Sequence, residues 1–311
     1  MSSKHDSISY ARFLAPRFWP IWILQWWMRF AALLPYPYQI IIGKRLGRIG
    51  FYVAAKKRHI AMRNLEICFP ELSNIEQKKL LKKHFEAMGA AFSEMGLGWY
   101  SSTERLLNLI QVEGLEHLEQ AHKKGKGIIV LCAHFTTLET STSILGELFP
   151  GLKAVYSPQS NEMIDTMIYQ GRQRLAKQQI PKNNIRAMVR ELRNNGIVGY
   201  LADLVTEGSN RALIPFFTEP AVTTTTVSKL AKMTDATVLT YFFTRLPGKA
   251  GYVANIGAPL NNFPTDDVIA DTHRLVKRLE NYIRQTPEQY MWTYRRFKNR
   301  PHPYPDVYDA E

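Results

Sequence analysis

The chain has 311 residues, of which 45% are hydrophobic and 22% are charged, and its formal net charge is +13. This length allows one or two domains with a large core, and the composition excludes both a disordered chain and a polytopic membrane protein. Two cysteines without a CxxC spacing exclude a disulfide scaffold and a zinc ribbon, and they favour a reducing compartment.

Positive charge is concentrated at the start of the chain. Residues 1–63 hold eleven Lys and Arg against the single acid Asp6, a net charge of +10, so the other 248 residues carry only +3. Four of the six tryptophans lie in the same segment. A basic, Trp-rich segment on a nearly neutral body favours an anionic surface as partner. We find no pattern typical of nucleic-acid recognition, so the expected surface is a membrane.

The apolar part of this segment predicts an interfacial anchor. Arg29 divides it into the runs 18–28 and 30–43, and neither reaches the roughly 20 residues of a spanning helix. Trp19, Ile23 and Trp26 recur on one face of a helix, and Trp belongs at the level of lipid headgroups. We therefore predict an arm that lies in, or dips into, a bilayer. A buried Trp-rich core helix and a tilted single pass are the alternatives.

The rest of the chain predicts an α/β fold. A long helix is expected over 73–99, beginning at a Ser cap, and apolar runs then alternate with helical patterns. Such alternation implies a mainly parallel central sheet with flanking helices. We predict an arm at 1–63, an α/β domain at 64–301 and an extended, poorly ordered tail at 302–311. The predicted strands are 109–112, 127–133, 152–156, 197–201, 212–216, 236–243 and 251–256, and the later helices are 115–123, 136–149, 161–177, 184–193, 222–233 and 266–285.

The clearest chemical signal follows the strand predicted at 127–133. His134 comes directly after it, and Glu139 comes five residues later, in the first turn of the next helix. Ligand sites of open α/β sheets lie beyond the carboxyl ends of strands. A carboxylate there can hold one ring nitrogen of His134 and stabilise the imidazolium that forms when the other nitrogen takes a proton.

His134 and Glu139 are also compatible with purely structural roles. Thr136 and Glu139 have the spacing of a capping box, which would account for Glu139 without catalysis. A histidine at a strand end is often structural, and HxxxxE lacks the spacing of a metal site. Cys132 could carry an acyl group as a nucleophile, although a small buried residue is the simpler interpretation.

The motif and its neighbours resemble a known family. His134-x-x-x-x-Glu139 resembles the His-x4-acid motif of glycerolipid acyltransferases, and its Glu form resembles the late acyltransferases of lipid A biosynthesis, the lauroyl and myristoyl transferases. The resemblance covers residues 20–301. The supporting stretches are Asn64-Leu65, Phe69-Pro70, Val155-Tyr156-Ser157-Pro158, Gly171-Arg172, Leu201-Ala202-Asp203, Pro215-Phe216-Phe217 and the stretch from Pro287 to Pro301 that contains Tyr294-Arg295-Arg296-Phe297.

This resemblance implies a reaction and its partners. A fatty acyl chain would pass from an acyl carrier protein thioester to a hydroxyl of an acylated lipid A precursor, with His134 as general base and Glu139 stabilising its protonated form. Backbone N–H groups of residues 136–138 are candidate donors to the oxyanion. No cofactor or metal is implied. We expect a monomer associated with membrane lipids at the inner membrane, with its active site on the cytoplasmic side.

Further residues are expected at the substrate. By the resemblance, Arg172 would meet substrate phosphate or the catalytic pair, and Tyr156 is assigned to substrate binding. Asp203 follows the strand predicted at 197–201 and would orient polar groups in the same cleft, while Arg211 is a weaker candidate. A basic cluster near the end of the chain fits either an acidic carrier protein or lipid phosphates, unless it is a solvated tail; its members are Arg295, Arg296, Lys298 and Arg300.

Two other function classes stay open at this point. The same His–Glu pair would serve a related phospholipid acyltransferase, or a thioester hydrolase in which water is the acceptor. A non-enzymatic basic protein that docks on a membrane or on nucleic acid would use the arm, and its His–Glu pair would have no catalytic role.

Overall fold

A computed structural model describes residues 10–172, 179–204, 210–248 and 250–308. Its helices are α1 Trp19–Leu33, α2 Tyr36–Val53, α3 Ala55–Cys68, α4 Asn74–Tyr100, α5 Thr103–Leu107, α6 Leu115–Lys123, α7 Leu138–Leu148, α8 Glu162–Arg172, α9 Ile185–Arg193, α10 Thr226–Thr234 and α11 Val268–Gln285. Its strands are β1 Ile110–Glu113, β2 Ile128–Cys132, β3 Lys153–Tyr156, β4 Gln179–Pro181, β5 Ile197–Leu201, β6 Arg211–Phe216, β7 Glu219–Thr224, β8 Thr237–Arg245 and β9 Tyr252–Gly257.

The predicted α/β class is confirmed. A seven-stranded sheet has the order β1-β9-β8-β2-β5-β3-β4, in which only the β8–β9 pair is antiparallel. Strand β2 lies at the centre and is buried along its whole length. Alternate β2 side chains enter two different cores: Val130 and Cys132 pack towards α6 and α7, whereas Ile129 and Leu131 pack towards α9 and α10.

Two strands were missed by the sequence patterns. Strand β4 has only three residues and ends at Pro181, which leaves too short a run to recognise. Strand β7 occupies the start of the helix predicted over 222–233, because its β-branched residues pair with β6 in an antiparallel hairpin and the helix begins only at Thr226. Of the helix predicted over 161–177, residues 173–177 lie outside the described part of the chain.

The basic arm is packed against the body. A Cβ at Gly47 would overlap the carbonyl of Phe85, and one at Gly89 would overlap the backbone of Gly43, so the backbones of α2 and α4 lie in contact. Helix α3 runs across the boundary predicted at 63/64, and its Leu65 is fully buried. The arm therefore shares its core with the body.

The last described residues are also anchored. Tyr308 is buried, its hydroxyl donates to Oδ1 of Asn64 at 2.5 Å, and the amide of Phe297 donates to the same hydroxyl at 2.9 Å. The tail expected to be extended is thus held against the body at Tyr308. An extended segment can be well ordered when one aromatic side chain fills a buried site.

Candidate active site

The site begins with the register of two neighbouring parallel strands. Strands β2 and β5 pair so that Cys132 lies beside Leu201. His134 lies two residues beyond Cys132, and Asp203 lies two residues beyond Leu201. The two side chains are therefore neighbours at the carboxyl edge of the sheet. The same local pattern, an apolar run followed by alanine and then a polar residue, marks both strand ends in the sequence.

His134 and Asp203 are joined by two hydrogen bonds. Nδ1 of His134 lies 2.7 Å from Oδ1 of Asp203, and the backbone amide of His134 donates to Oδ2 at 2.9 Å. The His134 side chain is 22% exposed, whereas that of Asp203 is 1% exposed. Burial raises the pKa of Asp203, but the charge and hydrogen bonds of His134 outweigh this effect and hold that pKa below its ordinary value. Since Nδ1 is engaged, Nε2 is the nitrogen that can exchange a proton.

Glu139 has a different partner from the one expected. Oε2 of Glu139 accepts from Nε of Arg172 at 3.1 Å, and Oε1 accepts from Nη2 at 2.5 Å. The side chains of Glu139 and Arg172 are 15% and 21% exposed. Helix α7 turns its first-turn carboxylate towards Arg172 at the end of α8. The structure thus assigns the contact with the His134 imidazole to Asp203, and Glu139 holds Arg172.

The loop after His134 is fixed by a distant segment. The amide of Thr136 donates to the carbonyl of Gln289 at 2.7 Å, and the amide of Met291 donates to the carbonyl of His134 at 2.9 Å. The expected capping box is absent, because α7 is preceded by Thr137 and has no side-chain cap. The segment 289–291 is therefore part of the site, a role that only its contacts reveal.

An apolar cleft lies beside this arrangement, on the α7 side of β2. Its space, the opening to solvent included, is about 660 Å³, and Arg172 and Tyr156 line it together with mostly apolar side chains. Tyr156 also donates a hydrogen bond to the carboxylate of Asp165. Arg211 is not among the lining residues: it is exposed at the start of β6, opposite Thr224. The other lining residues include Cys132, Leu138, Leu145, Gly146, Leu152 and Gly199.

Comparison with known proteins places this site in a family. Residues 8–299 match the bacterial lipid A biosynthesis acyltransferases. The chain is 33% identical over 296 residues to the lipid A biosynthesis lauroyltransferase of Escherichia coli K12, covering 95% of this chain and 96% of that protein. It is 32% identical over 294 residues to the palmitoleoyltransferase of the same organism (93% and 94% covered), and 25% identical over 294 residues to its myristoyltransferase (93% and 90%).

The chain belongs to the lipid A biosynthesis acyltransferase family. The expected family is thus confirmed, and the protein is an acyltransferase.

In this acyltransferase, Cys132 has the properties of a packing residue. Its side chain is buried, and burial, with a smaller contribution from Asp203, raises its pKa to about 12. A thiol with such a pKa is protonated near neutral pH and is a poor nucleophile. Among the described residues, no group of His, Cys, Asp and Glu side chains has the geometry of a metal site.

The basic cluster of this acyltransferase is divided between surface and core. Arg296 is 2% exposed, and the Arg300 side chain is also buried and pairs with Glu219 at 2.9 Å. Neither arginine can meet a carrier protein from a solvated tail, so the cluster is not the single basic surface that we expected. Its two buried members fold back because each finds backbone or side-chain acceptors inside the protein.

Proposed function

We propose that this acyltransferase moves a fatty acyl chain of the lauroyl or myristoyl class from an acyl carrier protein thioester to a hydroxyl of an acylated lipid A precursor. The observation that supports this most directly is the His134–Asp203 pair beside an apolar cleft of about 660 Å³. The names of the relatives, which act in lipid A biosynthesis, support the acceptor class.

The hydrogen bonds of His134 suggest how the transfer proceeds. Nε2 of His134 takes the proton of the acceptor hydroxyl, and the alkoxide attacks the thioester carbonyl. The tetrahedral intermediate collapses to the new ester and expels the thiolate of the carrier, which receives the proton from the imidazolium. Asp203 holds the imidazole in the required tautomer and stabilises its charged form. The transfer is direct, and it uses neither a cofactor nor a covalent acyl-enzyme.

Arg172 is our candidate for stabilising the oxyanion. Two of the three backbone N–H groups expected to serve at the start of α7 are engaged, because the amides of Thr136 and Leu138 donate to the carbonyls of Gln289 and Phe135. Arg172 lines the cleft and keeps further N–H groups beyond those bonded to Glu139. A fixed cation there would stabilise the negative charge that develops on the carbonyl oxygen. Glu139 then acts by orienting Arg172.

The cleft is our candidate for the acyl-binding pocket, and a substitution inside it should change chain-length preference. A Cβ at Gly199 would lie 3.4 Å from Cδ2 of Leu152, inside the cleft. We expect Gly199→Leu to lower kcat/KM for the longest accepted chain about tenfold relative to a chain two carbons shorter, since one methylene is worth about 1–3 kcal/mol. Competition between carrier proteins charged with chains of different lengths measures this ratio.

The neighbouring position on β5 provides the control. Val198 points into the opposite core, so Val198→Leu should leave the ratio unchanged. An unchanged ratio in Gly199→Leu would show that the acyl chain binds elsewhere.

The proposed reaction can be tested by product mass. Purified enzyme, acyl carrier protein thioester and a tetra-acylated lipid A precursor should give a product heavier by one acyl group. The same donor is offered with glycerophospholipid as acceptor, or with no acceptor. Transfer to phospholipid alone would indicate a related phospholipid acyltransferase, and release of free fatty acid alone would indicate a thioester hydrolase.

We also propose that the arm binds the cytoplasmic face of the inner membrane. Helix α1 buries Met28 and Ala31 and exposes an apolar stripe on its other side: Trp19, Ile23, Trp26, Phe30 and Leu33. This exposure supports an interfacial arm over a buried core helix. Within the described ranges, none of the helices is both long and apolar enough to cross a bilayer. An interfacial position, with the enzyme as a monomer, fits these features.

Replacing two tryptophans of this stripe should weaken membrane binding. We expect Trp19→Ser combined with Trp26→Ser to lower partitioning into phosphatidylethanolamine–phosphatidylglycerol vesicles at least tenfold, because both rings would lose apolar contact with lipid. Co-sedimentation measures the bound fraction. Ile75→Ser with Ile269→Ser, which alters exposed apolar residues of α4 and α11, is the control. Equal binding of the two double variants would contradict the interfacial arm.

A further inference from the structure

Arg296 is a buried cation, and the described residues around it accept hydrogen bonds from only two of its three nitrogens. Nη1 donates to the carbonyl of Val222 at 2.9 Å, Nη2 donates to the hydroxyl of Thr223 at 2.7 Å, and Phe216 lies under the guanidinium, with its ring centroid 4.6 Å from Cζ. Its Nε has no hydrogen-bond partner among the described residues. Within the described part of the chain, no carboxylate lies within 4.0 Å of Arg296, so its charge is not neutralised by a direct ion pair.

Arg296 and Asp203 line the same pocket. It lies on the α10–α11 side of β2, and its space, the opening to solvent included, is about 430 Å³. The remaining walls are apolar or carry hydroxyl groups, such as those of Ser228 and Thr272. Asp203 is the acidic side chain of this lining, and it is buried. Burying an unpaired charge is costly, whereas opposite charges that line the same pocket offset part of that cost.

We propose that Arg296 is a positioning residue that balances the charge of Asp203 across this pocket, so that the resting imidazole stays uncharged and ready to act as a base. The proposal rests on the function assigned to His134 above. Without a cation behind it, the buried Asp203 carboxylate would draw a proton onto His134 before the acceptor arrives. With Arg296 in place, the resting pair of Asp203 and Arg296 is neutral as a whole, and His134 is charged only during the reaction.

Other titratable groups face the same two side chains. Asp203 is also near Cys132 and Tyr290, and Arg296 is also near Cys68, Tyr290 and Tyr308. Burial raises the pKa of each of these thiols and phenols. They are therefore neutral around neutral pH and add no charge beside Asp203, Arg296 and His134.

The test is the titration of His134 itself. Histidine-labelled protein in detergent is followed by NMR, with His134→Gln used to assign the signal. Removing a nearby positive charge favours the protonated imidazole, so we expect Arg296→Gln to raise the pKa of His134 by about one pH unit. The acid limb of kcat/KM for acyl transfer should move to higher pH by the same amount, because that limb requires a neutral base.

Three further variants distinguish the loss of the Arg296 charge from the loss of its packing. Arg296→Met keeps a long side chain over Phe216 and should shift the titration like Arg296→Gln, which provides a second reading if the glutamine variant folds poorly. Arg296→Lys keeps the charge and should titrate like the wild type. Arg295→Gln removes the same charge one residue away, outside the cavity lining, and should not shift the titration.

Two results distinguish this proposal from the proposed function. An unchanged His134 titration in folded Arg296→Gln or Arg296→Met would overturn the role of Arg296, even if His134 proves essential. Full activity of His134→Gln would overturn the proposed function instead, and the NMR titration would still report whether Arg296 controls the imidazole.

Discussion

Replacing His134 with glutamine is expected to lower kcat/KM for acyl transfer about 10³-fold while leaving the fold intact. Proton abstraction by a positioned base contributes roughly 10²–10⁴-fold to such reactions, and His134 is the partly exposed imidazole of the pair at the sheet edge. Glutamine preserves much of the side-chain volume but cannot accept a proton at neutral pH. Initial rates of lipid product formation, measured by mass, give the comparison.

The control for this variant is another histidine of the same chain. His122 lies exposed on α6, and His122→Gln should keep wild-type rates. Thermal unfolding of both variants shows whether the core is preserved. A His134→Gln enzyme that works within tenfold of the wild type would exclude His134 as the general base.

Replacing Asp203 with asparagine is expected to have the second-largest effect, a fall in kcat of about 10²–10³-fold with little change in KM. An amide cannot stabilise the imidazolium by its charge, and it can donate to Nδ1 and so favour the wrong tautomer of His134. In the proposed mechanism the imidazolium forms only during the reaction, so the loss should appear in kcat. Steady-state kinetics with saturating acyl carrier protein thioester separate the two constants.

Glu139→Gln is the variant that discriminates between the two carboxylates. If Glu139 acts by orienting Arg172, its replacement should cost less than that of Asp203, and the double variant Glu139→Gln with Arg172→Gln should be no worse than Arg172→Gln alone. A severe loss in Glu139→Gln combined with a mild one in Asp203→Asn would restore Glu139 as the partner of the imidazole.

The relation between these two carboxylates also shows where motif spacing stops being informative. Glu139 is close to His134 in sequence, and the HxxxxE spacing suggested a contact. The first turn of α7 instead directs that carboxylate to Arg172 of α8, while a residue 69 positions away along the chain contacts the imidazole. Sequence separation measures proximity within one helix or strand, and it says little about which strand ends are neighbours in a sheet.

The sequence by itself determined the fold class, the family, the position of His134 at a strand end and the exposed stripe of α1. These features depend on local periodicity and on short motifs, which are written in consecutive residues. The tertiary structure alone decided the partner of His134, the hydrogen bonds between residues 289–291 and the loop after His134, the anchoring of Tyr308 and the burial of Arg296. Each of those depends on strand order and on packing between distant segments, and these are set by the free energy of the whole chain.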